Sequence, residues 1–136
     1  MNDRYESIVA VYRLIVMWAG AVINLLFGSA DSMLLTLLAV MALDAITGAF
    51  SAVIRKKHSG KRGVRVFAKK MGILCIVSLA TLIEQNILET TAIRSAVILY
   101  YISNEGLSIF NNLAKIGVPI PEKLKEVLDR MSEKES

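Results

Sequence analysis

Polar side chains inside long apolar runs are the part of this sequence whose types and spacing could do chemistry. A first group lies on one helical face, within about 100° of arc: Asp44, Thr47, Gly48 and Ser51. Small residues let helices approach closely, and Thr or Ser can form hydrogen bonds across the contact. This face therefore predicts helix packing or gating, and the alternative is a pore-lining or proton-sensitive role for Asp44.

A second polar group lies further along the chain and occupies, together with Tyr101 and Asn111, an arc of about 120°. Its members are Asn104, Glu105, Ser108 and Asn112. A polar stripe at membrane depth usually faces protein or water rather than lipid. The pattern predicts oligomer contacts or a pore lining, and a helix lying flat at the membrane interface is the alternative.

Four apolar runs carry these groups, in a chain of 136 residues that is 54% hydrophobic. The predicted spans are about 8–28, 33–54, 71–88 and 92–112. About 20 apolar residues are needed to cross a hydrocarbon core of ~30 Å. The runs predict an all-α integral membrane protein with three to four transmembrane helices. Four are favoured, and a re-entrant or interfacial 71–88 is the alternative.

The charges predict how the spans are oriented. Residues 55–70 contain eight Lys or Arg and no carboxylate, and a short basic loop beside spans is retained in the cytoplasm. Four spans then place both termini in the cytoplasm. The loop also suits anionic lipid headgroups, whereas Phe67 alone could stack on bases, so no nucleic acid is expected. The basic residues are Arg55, Lys56, Lys57, Lys61, Arg62, Arg65, Lys69 and Lys70.

The C-terminal segment differs from the rest of the chain. Residues 1–118 are predicted as the transmembrane domain, and 119–136 as a charged cytoplasmic tail. Pro119 and Pro121 break the chain before it, and an apolar stripe at helical spacing then runs through charged residues. The tail is predicted to form a short amphipathic helix that rests on the membrane or on a neighbour.

Depth along the predicted spans suggests one ion pair. Arg13 lies five residues from Ile8 and Glu105 five residues from Phe110, the cytoplasmic ends of their apolar runs, so at 1.5 Å per residue both lie ~7–8 Å deep. The two side chains are predicted to neutralise each other, within or between chains. Asp44, at ~15 Å by the same count, has no cation at its depth and is expected to rely on hydrogen bonds or partial protonation.

Catalytic and metal-binding patterns are not found in the sequence. His58 is the only histidine and Cys75 the only cysteine, and the usual His/Cys metal sites and nucleophilic dyads need more than these. No Gly-rich phosphate loop is present. The protein is predicted not to be an enzyme and to have no cofactor.

Three stretches resemble the toxin-secretion/phage-lysis holins, of the phage holin family 4 type. Leu43–Gly48 resembles the Asp-x-x-Thr-Gly signature of their second span, and Ala68–Met71 resembles their paired lysine before the next span. The longest resemblance runs from Ile102 to Pro121. Asn111 and Val66 depart from the family pattern, where an acidic residue and a glycine are expected.

The resemblance implies a multi-pass phage or prophage protein of the bacterial cytoplasmic membrane. Such holins form homo-oligomers and open a lesion that lets an endolysin reach the cell wall, without requiring direct contact with it. Some relatives release toxins. A small ion channel or transporter, and an antiholin-like regulatory membrane protein, are the alternatives.

Overall fold

The chain forms five α-helices in a computed structural model that describes residues 2–88, 90 and 92–133. They are α1 (Asn2–Phe27), α2 (Ser32–Ile54), α3 (Gly60–Asn86), α4 (Ala92–Ala114) and α5 (Glu122–Glu133). The described residues contain no strand. The all-helical prediction is confirmed, and α5 occupies the tail in which a helix was predicted.

Three helices, α1, α2 and α3, are long and apolar enough to cross a membrane. The third apolar run, for which a re-entrant or interfacial position was the alternative, belongs to this set because α3 has 27 residues and begins at Gly60. Of the predicted basic loop 55–70, only residues 55–59 therefore lie between α2 and α3. The fourth predicted span corresponds to α4, whose 23 residues include the polar stripe, and α4 is not among the three. Its crossing remains a prediction.

The core is formed where α2, α3 and α4 meet. Leu34, Leu37 and Met41 follow one face of α2 and pack with residues of the other two helices, Ile73, Val77 and Ile98. α1 packs against α3, and none of its residues, 2–27, is buried. A bundle that leaves most of one apolar helix uncovered is suited to lipid or to other protein copies.

Residues with positive φ angles lie just after the ends of α2 and α4. At the end of α2, Lys56 has a φ of 53°, and the Lys57 N–H donates to the Ala52 carbonyl at 2.8 Å. At the end of α4, Gly117 has a φ of 87°. These left-handed residues reverse the chain after a helix, and the prolines that follow Gly117 separate α4 from α5.

Arg94 of α4 binds the turn between α1 and α2, at the opposite end of the bundle. We call this end, with residues 28–31, the turn end. The Arg94 guanidinium donates to Asp31 Oδ2 at 2.7 Å and to the carbonyls of Phe27 at 2.9 Å and Ser29 at 3.2 Å. The last carbonyls of a helix lack partners within it, so Arg94 compensates the C-terminus of α1. Gly28, with a φ of 70°, lets the chain turn close to Arg94, since a Cβ there would lie 3.4 Å from Nε.

Asp31 also caps α2, by accepting a hydrogen bond from the Leu34 N–H at 3.0 Å. The hydrogen bond from Arg94, followed by that from Leu34, holds the pKa of the Asp31 carboxyl below its usual value. A lowered pKa means that the folded state favours the carboxylate. The resulting stability is present above the unfolded-state pKa and is lost as the pH falls through the folded-state pKa.

Asp31→Asn should therefore lower the free energy of unfolding at pH 7, by about 1 kcal/mol. The expected loss of stability is small because the Asp31 side chain is 38% exposed and because asparagine also caps helices well. Thermal unfolding in a neutral detergent should show the difference from wild type shrinking below about pH 4. Asp3→Asn, at an exposed site on α1, is the control. A pH-independent gap would contradict the ion-pair explanation.

Candidate functional site

A charged cluster lies where α2, α3 and α4 meet, on the side of the apolar core that is opposite the turn end. The Lys70 ammonium of α3 donates to Asp44 Oδ2 of α2 at 2.5 Å and to Glu105 Oε2 of α4. Asp44 lies ten residues before the end of α2, Lys70 ten after the start of α3, and Glu105 nine before the end of α4. At 1.5 Å per residue, all three are ~15 Å from the helix ends at the basic segment.

The second Asp44 oxygen contacts α4. Asn112 Nδ2 donates to Asp44 Oδ1 at 3.1 Å and lies 3.3 Å from Thr47 Oγ1. The Thr47 hydroxyl in turn donates to the Leu43 carbonyl at 2.9 Å. Both carboxylate oxygens of Asp44 thus have partners on other helices, which is what a buried charge requires.

Glu105 is the most enclosed charge of the cluster, because its side chain is 0% exposed. Glu105 Oε1 lies 3.7 Å from the Lys69 ammonium and has no hydrogen-bond partner among the described groups. The Lys69 side chain is 54% exposed, whereas that of Lys70 is 12% exposed. Lys70 is therefore the principal neutralising charge for the two carboxylates, and Lys69 adds a solvent-screened one.

Gly48 lets α2 and α4 approach closely beside the cluster. A Cβ at Gly48 would lie 3.4 Å from Asn112 Nδ2, at the close limit of ordinary van der Waals contact. Ser51, one turn further along α2, is buried, and its hydroxyl has no hydrogen-bond partner in the described part of the chain. The Asp44–Ser51 face thus lies against other parts of the chain at Asp44, Thr47 and Gly48.

The structure corrects one prediction about charge and limits another. Asp44 was expected to have no cation at its depth, and this is wrong, because Lys70 binds it. Glu105 was predicted to pair with Arg13 within or between chains; among the described residues of one chain its cations are Lys70 and Lys69, and a pair between chains stays a prediction. Arg13 lies exposed on α1, which packs against α3.

The other predicted site residues differ in how far their side chains are buried. Asn112 and Glu105 are buried, and Asn104 and Ser108 are half-buried. Of the eight basic residues assigned to lipid headgroups, Lys70 is taken up by the cluster and Arg62 is half-buried. The remaining six are exposed: Arg55, Lys56, Lys57, Lys61, Arg65 and Lys69.

Sequence reasoning assigned Lys70 to the wrong environment, and the signal that could have located it was present. Two carboxylates within apolar runs require a cation, and Lys70 stands directly before Met71, at the polar boundary of the third run. A lysine stem is long enough to carry its ammonium away from its own backbone. Starting the third helix at Met71 placed Lys70 at the membrane surface, whereas the helix begins at Gly60.

The chemistry available to this cluster is electrostatic. It holds charges and hydrogen bonds between three helices, and separating the helices would expose those groups. Within the described ranges, no three His, Cys, Asp or Glu residues are grouped where they could hold a metal ion.

Comparison with known proteins supplies the family. The model of the bacteriophage holin family matches residues 21–133, which include the whole charged cluster. The chain belongs to the bacteriophage holin family. This family is not enzymatic, and together with the three apolar helices it indicates a membrane protein.

Relatives in Clostridium, Listeria and Bacillus species are similar to most of the chain. An uncharacterized 14.9 kDa protein in the nagH 3′ region of Clostridium perfringens is 34% identical, over 95% of this chain and 98% of its own length. The uncharacterized protein Lin0175 of Listeria innocua is 34% identical, over 80% and 78% respectively. YqxH of Bacillus subtilis is 34% identical, over 73% and 71%. No solved structure matches the chain.

Proposed function

We propose that this chain is a phage-type holin of the bacterial cytoplasmic membrane. It accumulates there, forms homo-oligomers and opens a lesion through which an endolysin reaches the cell wall. The family match over residues 21–133 carries the proposal. In the proposed topology four helices span, and the loop 55–59, the exposed basic side chains at the start of α3 and both termini lie on the cytoplasmic side, as the positive-inside rule favours.

The geometry supports a self-assembling membrane protein. α1 has no buried residue, so its apolar surface is free to contact lipid or other copies. The charged and amide groups of α2, α3 and α4 are instead turned toward one another. A chain of this kind can insert with its polar groups satisfied, as the bilayer requires, and still carries groups able to line water when helices separate.

Inducible expression in bacteria, with and without a co-expressed endolysin, tests the proposal. We expect an abrupt fall in culture turbidity, together with release of a cytoplasmic enzyme, only when active endolysin is present. A catalytically inactive endolysin is the control, because it leaves membrane insertion of the chain unchanged. Steady growth with normally inserted protein would contradict the proposal.

The same experiment separates the alternatives. A small channel or transporter should give solute flux without endolysin-dependent clearing. An antiholin-like regulator should delay lysis when it is co-expressed with another holin. Substituting an unrelated muralytic enzyme for the endolysin tests direct contact, and we expect lysis to persist because a lesion requires no specific recognition.

A further inference from the structure

A cavity of about 490 Å³ lies at the basic end of the bundle, between α2, the start of α3 and the end of α4. Its α2 wall consists largely of small residues, which leave the space open: Ala45, Gly48, Ala49 and Ala52. Ser108 and Asn112 contribute polar groups from α4. The charged cluster borders the cavity through Asp44 and Lys70.

The lining of this cavity is strongly positive. It contains four Lys or Arg side chains and one carboxylate, in addition to His58. The carboxylate is that of Asp44, which is already bound by Lys70 and Asn112. Within the described ranges, Arg62 and Lys115 form no ion pair with a carboxylate; Arg62 belongs to the first turn of α3, and Lys115 directly follows α4. The cavity therefore has uncompensated positive charge from two separate parts of the chain.

The first turn of α3 adds to this charge. Ser59 caps the helix by accepting a hydrogen bond from the Arg62 N–H at 3.3 Å, and Ser59, Arg62 and Gly63 all line the cavity. The first turn contains no acidic residue, so the positive end of the helix dipole is not neutralised locally. Nothing lies within 4 Å of a Cβ placed at Gly63, which leaves this turn accessible to a ligand.

We infer that this cavity binds one phosphate group, between Arg62 of α3 and Lys115, the residue directly after α4. Arginine offers paired donors to phosphate oxygens, lysine a point charge, and a helix N-terminus a favourable field. The phosphate is that of an anionic lipid headgroup or a free phosphate ion. Basic pockets between membrane helices are suited to headgroups, and the small residues of α2 leave room for an esterified group. The inference concerns binding and does not depend on lesion formation.

Thermal unfolding of the full-length protein in a neutral detergent tests the inference. Phosphatidylglycerol and inorganic phosphate are titrated separately at constant ionic strength, with phosphatidylcholine, whose zwitterionic headgroup has no net charge, as the control lipid. We expect saturable stabilisation by at least one of the two anions. Saturation by phosphatidylglycerol alone identifies a headgroup site, and saturation by inorganic phosphate identifies a site for the free ion. No saturable response to either anion would overturn the inference.

A matched pair of double variants separates the cavity from the general basic charge. Arg62→Gln with Lys115→Gln removes one Arg and one Lys of the lining, and should weaken the apparent affinity at least tenfold. Lys61→Gln with Arg65→Gln removes the same charges from exposed positions outside the lining, and should change it less than twofold. Equal effects of the two pairs would overturn the inference.

Ala49→Phe provides an independent variant that leaves every charge in place. Ala49 lines the cavity and is exposed, so a phenyl ring there fills the space without displacing the core. We expect the saturable response to be lost while the unfolding temperature without ligand stays near that of wild type. Undiminished binding by Ala49→Phe would place the anion elsewhere and overturn the inference.

Discussion

Replacing Lys70 by glutamine is expected to destabilise the bundle by about 3–5 kcal/mol, because it leaves two buried carboxylates without their cation. Asp44 and Glu105 both bind the Lys70 ammonium, and Glu105 is fully enclosed. Unfolding in neutral detergent measures the loss. The amount of folded protein recovered from membranes should fall with it, since a few kcal/mol is a large share of total stability.

Two control variants make this expectation specific to the buried charge. Lys69→Gln removes a neighbouring ammonium that is 54% exposed and 3.7 Å from Glu105, and should cost less than about 1 kcal/mol. Asp44→Asn, Glu105→Gln and Lys70→Gln combined remove the whole charged set and should recover most of the lost stability. Equal losses from Lys70→Gln and Lys69→Gln would show that the cluster does not hold the three helices together.

Most of the helical architecture could be predicted from hydropathy, because apolar runs of span length leave few alternatives. The start of α3 could not. Residues 60–70 are too basic to extend an apolar run, yet Gly60–Lys70 is helical, begun by the Ser59 cap and continuous with the run that follows. The error of eleven residues in that start moved Lys70 out of the cluster in the sequence-based interpretation.

The sequence predicts which polar residues share one face of a helix, but it does not predict which other helices those faces contact. Helical spacing places Asp44 with Thr47, and Glu105 with Asn112, since it depends only on the helix period. Which helices then meet depends on tertiary packing. The Arg94–Asp31 contact joins residues 63 positions apart, and the Lys70 contacts join residues 26 and 35 positions apart. No local pattern specifies such pairs.

This packing bears on how a lesion could form. Residues that would suit a water-filled lumen, Glu105 and Asn112 among them, are buried against Asp44, Lys70 and Gly48 in the single chain. They can line a continuous lumen only after α4 separates from α2, or after the cluster opens. The proposed lesion therefore requires a rearrangement within the chain, in addition to association between chains.

A disulfide that holds α2 against α4 is expected to prevent this rearrangement. A Cβ at Gly48 would lie 3.4 Å from Asn112 Nδ2 and 4.0 Å from Asn112 Cγ, so cysteines at these two positions would face each other across the contact between α2 and α4, as a disulfide requires. The test variant combines Gly48→Cys and Asn112→Cys in a Cys75→Ser background. We expect proteoliposomes that contain it to release trapped fluorescent dextran at least tenfold more slowly when the protein is oxidised than when it is reduced.

Comparing oxidised and reduced forms of the same protein separates the cross-link from the loss of the Asn112 amide, because both forms lack that amide. Gly48→Cys alone, treated with the same oxidant, should release dextran at one rate in both states. If the cross-linked protein releases dextran as fast as its reduced form, the lumen is not built by parting α2 from α4. The lesion would then form with the Asp44–Lys70–Glu105 cluster intact, between the outer faces of neighbouring chains, where α1 leaves its apolar surface uncovered.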